Sequence, residues 1–166
     1  MVHRLDAVPA HTPIFLDANI LVYGIRHASR QCVALLERCA NGVVLGRAPA
    51  VVLLECTHRL MLDEAFNLGL IASPSASALA RVAGRVIPRL RAYERESRAA
   101  RDCLQAVEPL DDGLLLAARA ERARWGLMTN DSILAAATRR HGAALASADR
   151  DFERVEDITL FAPDDL

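Results

Sequence analysis

The 166-residue sequence predicts a single α/β domain: a mostly parallel sheet with helices on both faces and a helical protrusion at about 63–109. Three observations carry this. Short apolar runs, "IFL", "VVLGR", "AALAS" and "ITLF", are separated by stretches whose apolar residues recur at helical spacing. Strands separated by helices imply right-handed crossovers, parallel pairing and three layers. No repeat, low-complexity run or linker divides the chain, and with 52% hydrophobic residues it can bury one substantial core.

Each element has a local reason. "IFL" reads as a buried strand, and "DANILVYGI" as its end turning into a helix that Asp17 or Asn19 can cap. "RQCVALLERCANG" is helical and stops at Asn41-Gly42. "VVLGR" follows as a strand, and Pro49 suits the first turn of the helix "PAVVLLECTHRLML". Leu79, Val82, Val86, Leu90 and Tyr93 recur at three- and four-residue steps in a long helical stretch that Pro88 kinks or breaks. Asp111 and Asp112 can cap "GLLLAARAERARWG", which ends near Gly126. "NDSILAAATRRHG" is a further helix, capped by Thr129 or Asn130 and closed by Gly142. "AALAS" and "ITLF" complete the sheet.

Composition excludes several classes. The sequence has no apolar run of bilayer length and its opening lacks a secretory apolar stretch, so a cytoplasmic protein without membrane contact is expected. Cys32, Cys39, Cys56 and Cys103 form no CxxC pair and read as reduced thiols. The formal net charge of -1 neither demands nor excludes a nucleic-acid partner. Every basic residue is Arg, which coding bias explains without a functional claim.

Four acids stand where this architecture can gather them. Asp17 ends the first strand and Asp149 follows "AALAS", so both lie at the carboxyl edge of the sheet, where open α/β folds bind ligands. Asp131 opens a helix, and Glu55 sits inside one among apolar neighbours. Taken singly, each has a structural explanation: Asp17 and Asp131 as helix caps, Glu55 as a partner of Arg59, Asp149 and Asp151 as turn residues. Taken together, converging carboxylates repel unless a cation or proton intervenes. Hard oxygen donors favour Mg²⁺ or Mn²⁺, and phosphoryl chemistry follows. Glu55 with His58 is the one pair suited to a transition metal.

These segments resemble the PIN-domain family, most closely its VapC-type toxins. "IFLDANILVYG" resembles the family's opening strand with its first acid, and "LLECTHRLML" the segment carrying its glutamate. "NDSILAAATRRHGAALASADRDFERV" resembles its aspartate-headed helix, strand and Thr-x-Asp-x-Asp-Phe motif, with Ser147 in the Thr position. The resemblance implies a Rossmann-like three-layer fold and an Mg²⁺-dependent (or Mn²⁺-dependent) endoribonuclease. Asp17, Glu55, Asp131 and Asp149 would be its metal-binding and catalytic residues, supported by Asn19, Ser147 and Asp151. It further implies an RNA substrate, a VapB-like antitoxin as inhibitor and a homodimer. The alternatives are a solitary PIN nuclease, another Mg²⁺-dependent phosphohydrolase, or a non-catalytic interaction module. A haloacid-dehalogenase-like phosphatase needs a second aspartate where Asn19 stands.

Arg81, Arg85 and Arg89 step along the protrusion every four residues, with Arg91, Arg95 and Arg98 beyond. They form either an RNA- or partner-facing surface or a solvated face paired with Glu94, Glu96 and Asp102.

Overall fold

The computed structural model describes residues 2–166. Its strands are β1 (Val2–Arg4), β2 (Pro13–Leu16), β3 (Leu45–Pro49), β4 (Ala106–Glu108), β5 (Ala144–Ala146) and β6 (Leu160–Ala162). The helices are α1 (Ala18–Ile25), α2 (Arg30–Ala40), α3 (Ala50–Asn67), α4 (Ala76–Ala80), α5 (Ala83–Val86), α6 (Ala92–Asp102), α7 (Asp112–Trp125) and α8 (Thr129–Arg140). The strands form one sheet in the order β1-β6-β5-β2-β3-β4, and every ladder is parallel.

The centre of that sheet is fully buried. Ile14, Phe15 and Leu16 of β2 and Leu145 and Ala146 of β5 are inaccessible to solvent, as a parallel sheet covered on both faces requires. The crossover from β2 through α1 and α2 leads to β3 on one side, while β5 pairs on the other. The order of strands therefore reverses between β2 and β5, and ligand crevices of open α/β sheets form at such reversals. Gly24 lets α1 approach α2 closely, since a Cβ there would stand 2.4 Å from Leu36 Cδ1.

Four expectations need correction. Strands β1 and β4 were not foreseen; each has only three residues and occupies an edge of the sheet. The second strand begins at Leu45, not Val43, and includes Pro49. Extended at φ -64 and ψ 151, Pro49 both ends β3 and stands at the N-cap of α3, not in its first turn. Helix α8 is entered from Met128 with no side-chain cap, so neither Thr129 nor Asn130 performs that task.

The fourth correction concerns the long helix. It is broken well before Pro88, because Val82 leaves helical geometry at φ -128, and α4, α5 and a 3₁₀ turn at Ile87–Arg89 replace it. These short pieces fold Leu79, Val86 and Leu90 onto Leu62, Ala65 and Ile71 in a second apolar cluster. A straight helix would hold those side chains on one stripe and could not wrap them around α3. Glu64 of α3 joins this region to α6. Only 8% exposed, its carboxylate accepts from the backbone N–H groups of Arg91 (2.8 Å), Ala92 (3.0 Å) and Tyr93 (2.8 Å), which the start of α6 leaves unpaired.

The basic residues of this region stand apart from its acids. Arg81, Arg85, Arg89, Arg91, Arg95 and Arg98 are exposed, and none pairs with Glu94, Glu96 or Asp102 among the described residues. Glu96 turns inward to Arg26 at 3.2 Å. Cys32, Cys39 and Cys56 are buried and free, and Cys103 is half-buried and free. Burial holds the Cys39 and Cys56 thiols up at about 12, so they remain protonated. No helix among the described residues is long and apolar enough to cross a membrane.

Candidate active site

Two loops at the carboxyl edge build the floor of the site. The chain leaves β2 at Asp17, and its backbone N–H still donates to Ala146 of β5 at 3.0 Å. Asp17 is thus pinned between the two central strands before α1 begins. It is also the N-cap of α1, with Oδ1 accepting from Ala18 N at 2.6 Å. Oδ2 accepts from Ser147 Oγ at 2.6 Å and from Asn19 Nδ2 at 2.7 Å. A carboxylate only 7% exposed needs such donors. Burial nevertheless raises its pKa, with the Ser147 and Ala18 hydrogen bonds working against the rise.

Ser147 is the joint between the loops. Fully buried, its hydroxyl donates to Asp17 and accepts from the backbone N–H of Asp149 at 2.9 Å. Asn19 crosses the same gap: its amide donates to Asp17, while its Oδ1 accepts from Ala148 N at 3.1 Å. Of the two roles open to Asn19 in the sequence, helix capping falls to Asp17 instead. Asp149 in turn caps the 3₁₀ turn Arg150–Arg154, its Oδ1 accepting from Asp151 N at 2.8 Å. The Asp151 carboxylate is paired with Arg154 at 2.7 Å, which ties it to the turn.

The other two acids come from helices. Glu55 lies near the start of α3, where Asn130 Nδ2 donates to its Oε2 at 2.9 Å and Arg59 stands 3.7 Å from Oε1. The structural explanation of Glu55, pairing with Arg59, is therefore realised. Asp131, in the first turn of α8, has no hydrogen-bond donor or cationic partner among the described residues. Its pKa is pushed up to about 6, first by burial and then by the carboxylates of Asp17, Asp149, Glu55 and Asp151. Glu55, Asp131 and Asp149 line one open cleft of about 410 Å³ together with Met128, Thr129 and Asn130.

Sequence reasoning missed Asn130 as the residue that steadies Glu55. Its place beside Asp131 in the first turn was the available signal. His58 is exposed on α3, while Arg81, Arg85 and Arg89 do not line the cleft.

A family model for the PIN domain matches residues 14–158. The chain belongs to the PIN domain family. PIN domains are generally nucleases, which agrees with acids gathered around an open cleft. Solved structures share this PIN fold. VapBC2 from Rickettsia felis, bound to a DNA fragment from its promoter, is 17% identical; the match covers 91% of this chain and 98% of that one at a TM-score of 0.58. A toxin–antitoxin complex from Klebsiella pneumoniae is 15% identical, with coverage of 88% and 95% at 0.56. PAE2754 from Pyrobaculum aerophilum is 13% identical, with coverage of 90% and 89% at 0.57. At such identities the likeness is one of fold. No curated protein matches this PIN chain.

The donors suit a hard cation. They are carboxylate oxygens, no Cys or His lines the cleft, and Asp131 carries the electrostatic strain that a cation relieves. Among the described residues no three acidic, His or Cys side chains close into a ready cage. An ion on this open ring of acids would keep several waters, as Mg²⁺ does.

Proposed function

We propose that this chain is an Mg²⁺- or Mn²⁺-dependent endoribonuclease of the VapC toxin type, in which residues 1–166 form one PIN domain; the protrusion expected at 63–109 ends before Ala106–Glu108, which is strand β4 of the central sheet. The carrying observation is the arrival of Asp17, Glu55, Asp131 and Asp149 from four separate segments, where burial first and the neighbouring carboxylates second push Asp131 up to about 6.

Asp17, Glu55, Asp131 and Asp149 would hold the metal, which supplies an activated water and offsets charge on the phosphate. Each residue has a distinct task. Ser147 and Asn19 aim the Asp17 carboxylate, and Asn130 aims that of Glu55. The N–H of Asp151 orients Asp149. Asp131, with no donor among the described residues, is the carboxylate left free to turn toward the metal or its water. Arg59 beside Glu55 brings positive charge to the rim, and the unpaired Arg81, Arg85 and Arg89 supply a basic surface for RNA or a protein partner.

Regulation by a VapB-like antitoxin is part of this reading, supported by the toxin–antitoxin complexes among the similar folds. A homodimer is also part of it. Leu54, Leu116 and Met128, each about 70% exposed, offer apolar surface for partners to cover. The test is cleavage of single-stranded RNA by purified protein with Mg²⁺ or Mn²⁺. EDTA and Asp17→Asn should each abolish it. Equal cleavage by wild type and Asp17→Asn overturns the proposal.

A further inference from the structure

A second cavity shares a wall with the acid cleft. Asp149 lines both, and on its other side a pocket of about 430 Å³ opens between the 3₁₀ turn and the β1–β6 edge. Its size falls within the range of small-ligand sites, about 300–1,000 Å³. Val2, Leu160 and Leu166 give it aliphatic surfaces, while Arg150, Glu153, Asp164 and the shared Asp149 supply charge. The aliphatic walls lie outside residues 14–158, so the matched part of the PIN fold does not by itself produce this pocket.

Asp149 caps the turn and Asp164 pairs with Arg4 at 2.8 Å, so the two remaining charged side chains define what the pocket can hold. Arg150 and Glu153 are three residues apart on the same turn, and neither pairs with another side chain among the described residues. Their neighbours Asp151 and Arg154 pair with each other instead. The pocket thus presents one free guanidinium fork and one free carboxylate beside apolar walls, with no aromatic ring for stacking. An unstacked RNA base is read by hydrogen bonds along its edges. A guanidinium matches a pair of acceptors, and a carboxylate matches a pair of donors. Guanine alone among the four bases offers both, with O6 and N7 accepting on one edge and N1–H and N2–H₂ donating on the other.

We propose that this pocket receives a guanine next to the scissile phosphate, with Arg150 and Glu153 as its specificity-determining residues. The inference rests on the ribonuclease reading above. It adds a base preference that the acids cannot supply. Because Asp149 lines both cavities, an RNA strand with its phosphate at the acid cleft has this pocket beside it.

The test uses the full chain, with Glu153→Gln and Arg150→Met as variants. Randomised single-stranded RNA is digested with Mg²⁺ and the cut ends are sequenced. Wild type should favour guanine at one position beside the cut by about tenfold, in keeping with a bidentate base contact. Both variants should still cut, with that preference reduced at least threefold. An unchanged base profile in both variants overturns the proposal. A second arm needs no cleavage: calorimetry of wild type with 5′-GMP, AMP, CMP and UMP. GMP should bind about tenfold more tightly than the others and lose that advantage in Glu153→Gln; equal affinities overturn the proposal. Selective GMP binding without any RNA cleavage supports the pocket and counts against the ribonuclease reading alone.

Discussion

Neutralising Asp131 should stabilise the fold. Its pKa of about 6 lies roughly two units above the ordinary value of 3.8, raised by burial and by four neighbouring carboxylates. One unit corresponds to about 1.4 kcal/mol, so the full shift would cost about 3 kcal/mol when the group is ionised. The cleft is open to water, and screening reduces this to about 1–2 kcal/mol. The sign follows from linkage. A carboxyl whose folded pKa is raised binds its proton more tightly in the folded state, so the favourable contribution is complete below pH 3.8 and is lost as pH rises through 6. Asp131→Asn should therefore raise the unfolding free energy by about 1–2 kcal/mol at pH 8 and by less than half as much at pH 4. Urea denaturation at the two pH values, without divalent metal, measures both. Destabilisation at pH 8, or an equal gain at both pH values, would refute the electrostatic reasoning.

Two further outcomes test the supporting structure. Ser147→Ala removes a donor to the Asp17 carboxylate and strands the Asp149 N–H, and should cost about 2–3 kcal/mol in the same denaturation assay. A loss below about 0.5 kcal/mol would show that the hydroxyl does not join the two loops. Glu64→Ala strips three backbone N–H groups of their acceptor at the head of α6 and should cost about 2–4 kcal/mol. Amide exchange at Arg91, Ala92 and Tyr93 should then accelerate while that of β2 changes little.

The elements around the site were legible because their signals are strong and local. Asp17 follows three buried residues and precedes a helix, and Gly126 closes α7 in the left-handed conformation expected of a terminator. The rest depended on partners far along the chain. Nothing within "VHR" or "AVE" marks a strand; β1 and β4 exist because β6 and β3 offer them an edge. The break at Val82 follows from the second apolar cluster, which no helical period reveals. Ser147 holds the nearby Asp149 N–H, and its own proton goes to Asp17, a contact across 130 residues that only the pairing of β2 with β5 creates.

That span has a consequence for biosynthesis. Pairing of β2 with β5 requires residues 144–146, and pairing of β1 with β6 requires residues 160–162. Contacts so distant in sequence are slow to form and unavailable to a partly synthesised chain. A nascent chain arrested before Ala144 carries Asp17, Glu55 and Asp131 but lacks both Ser147 and Asp149. The assembled cleft is consequently a property of chains synthesised past Asp149, and no shorter nascent chain presents it.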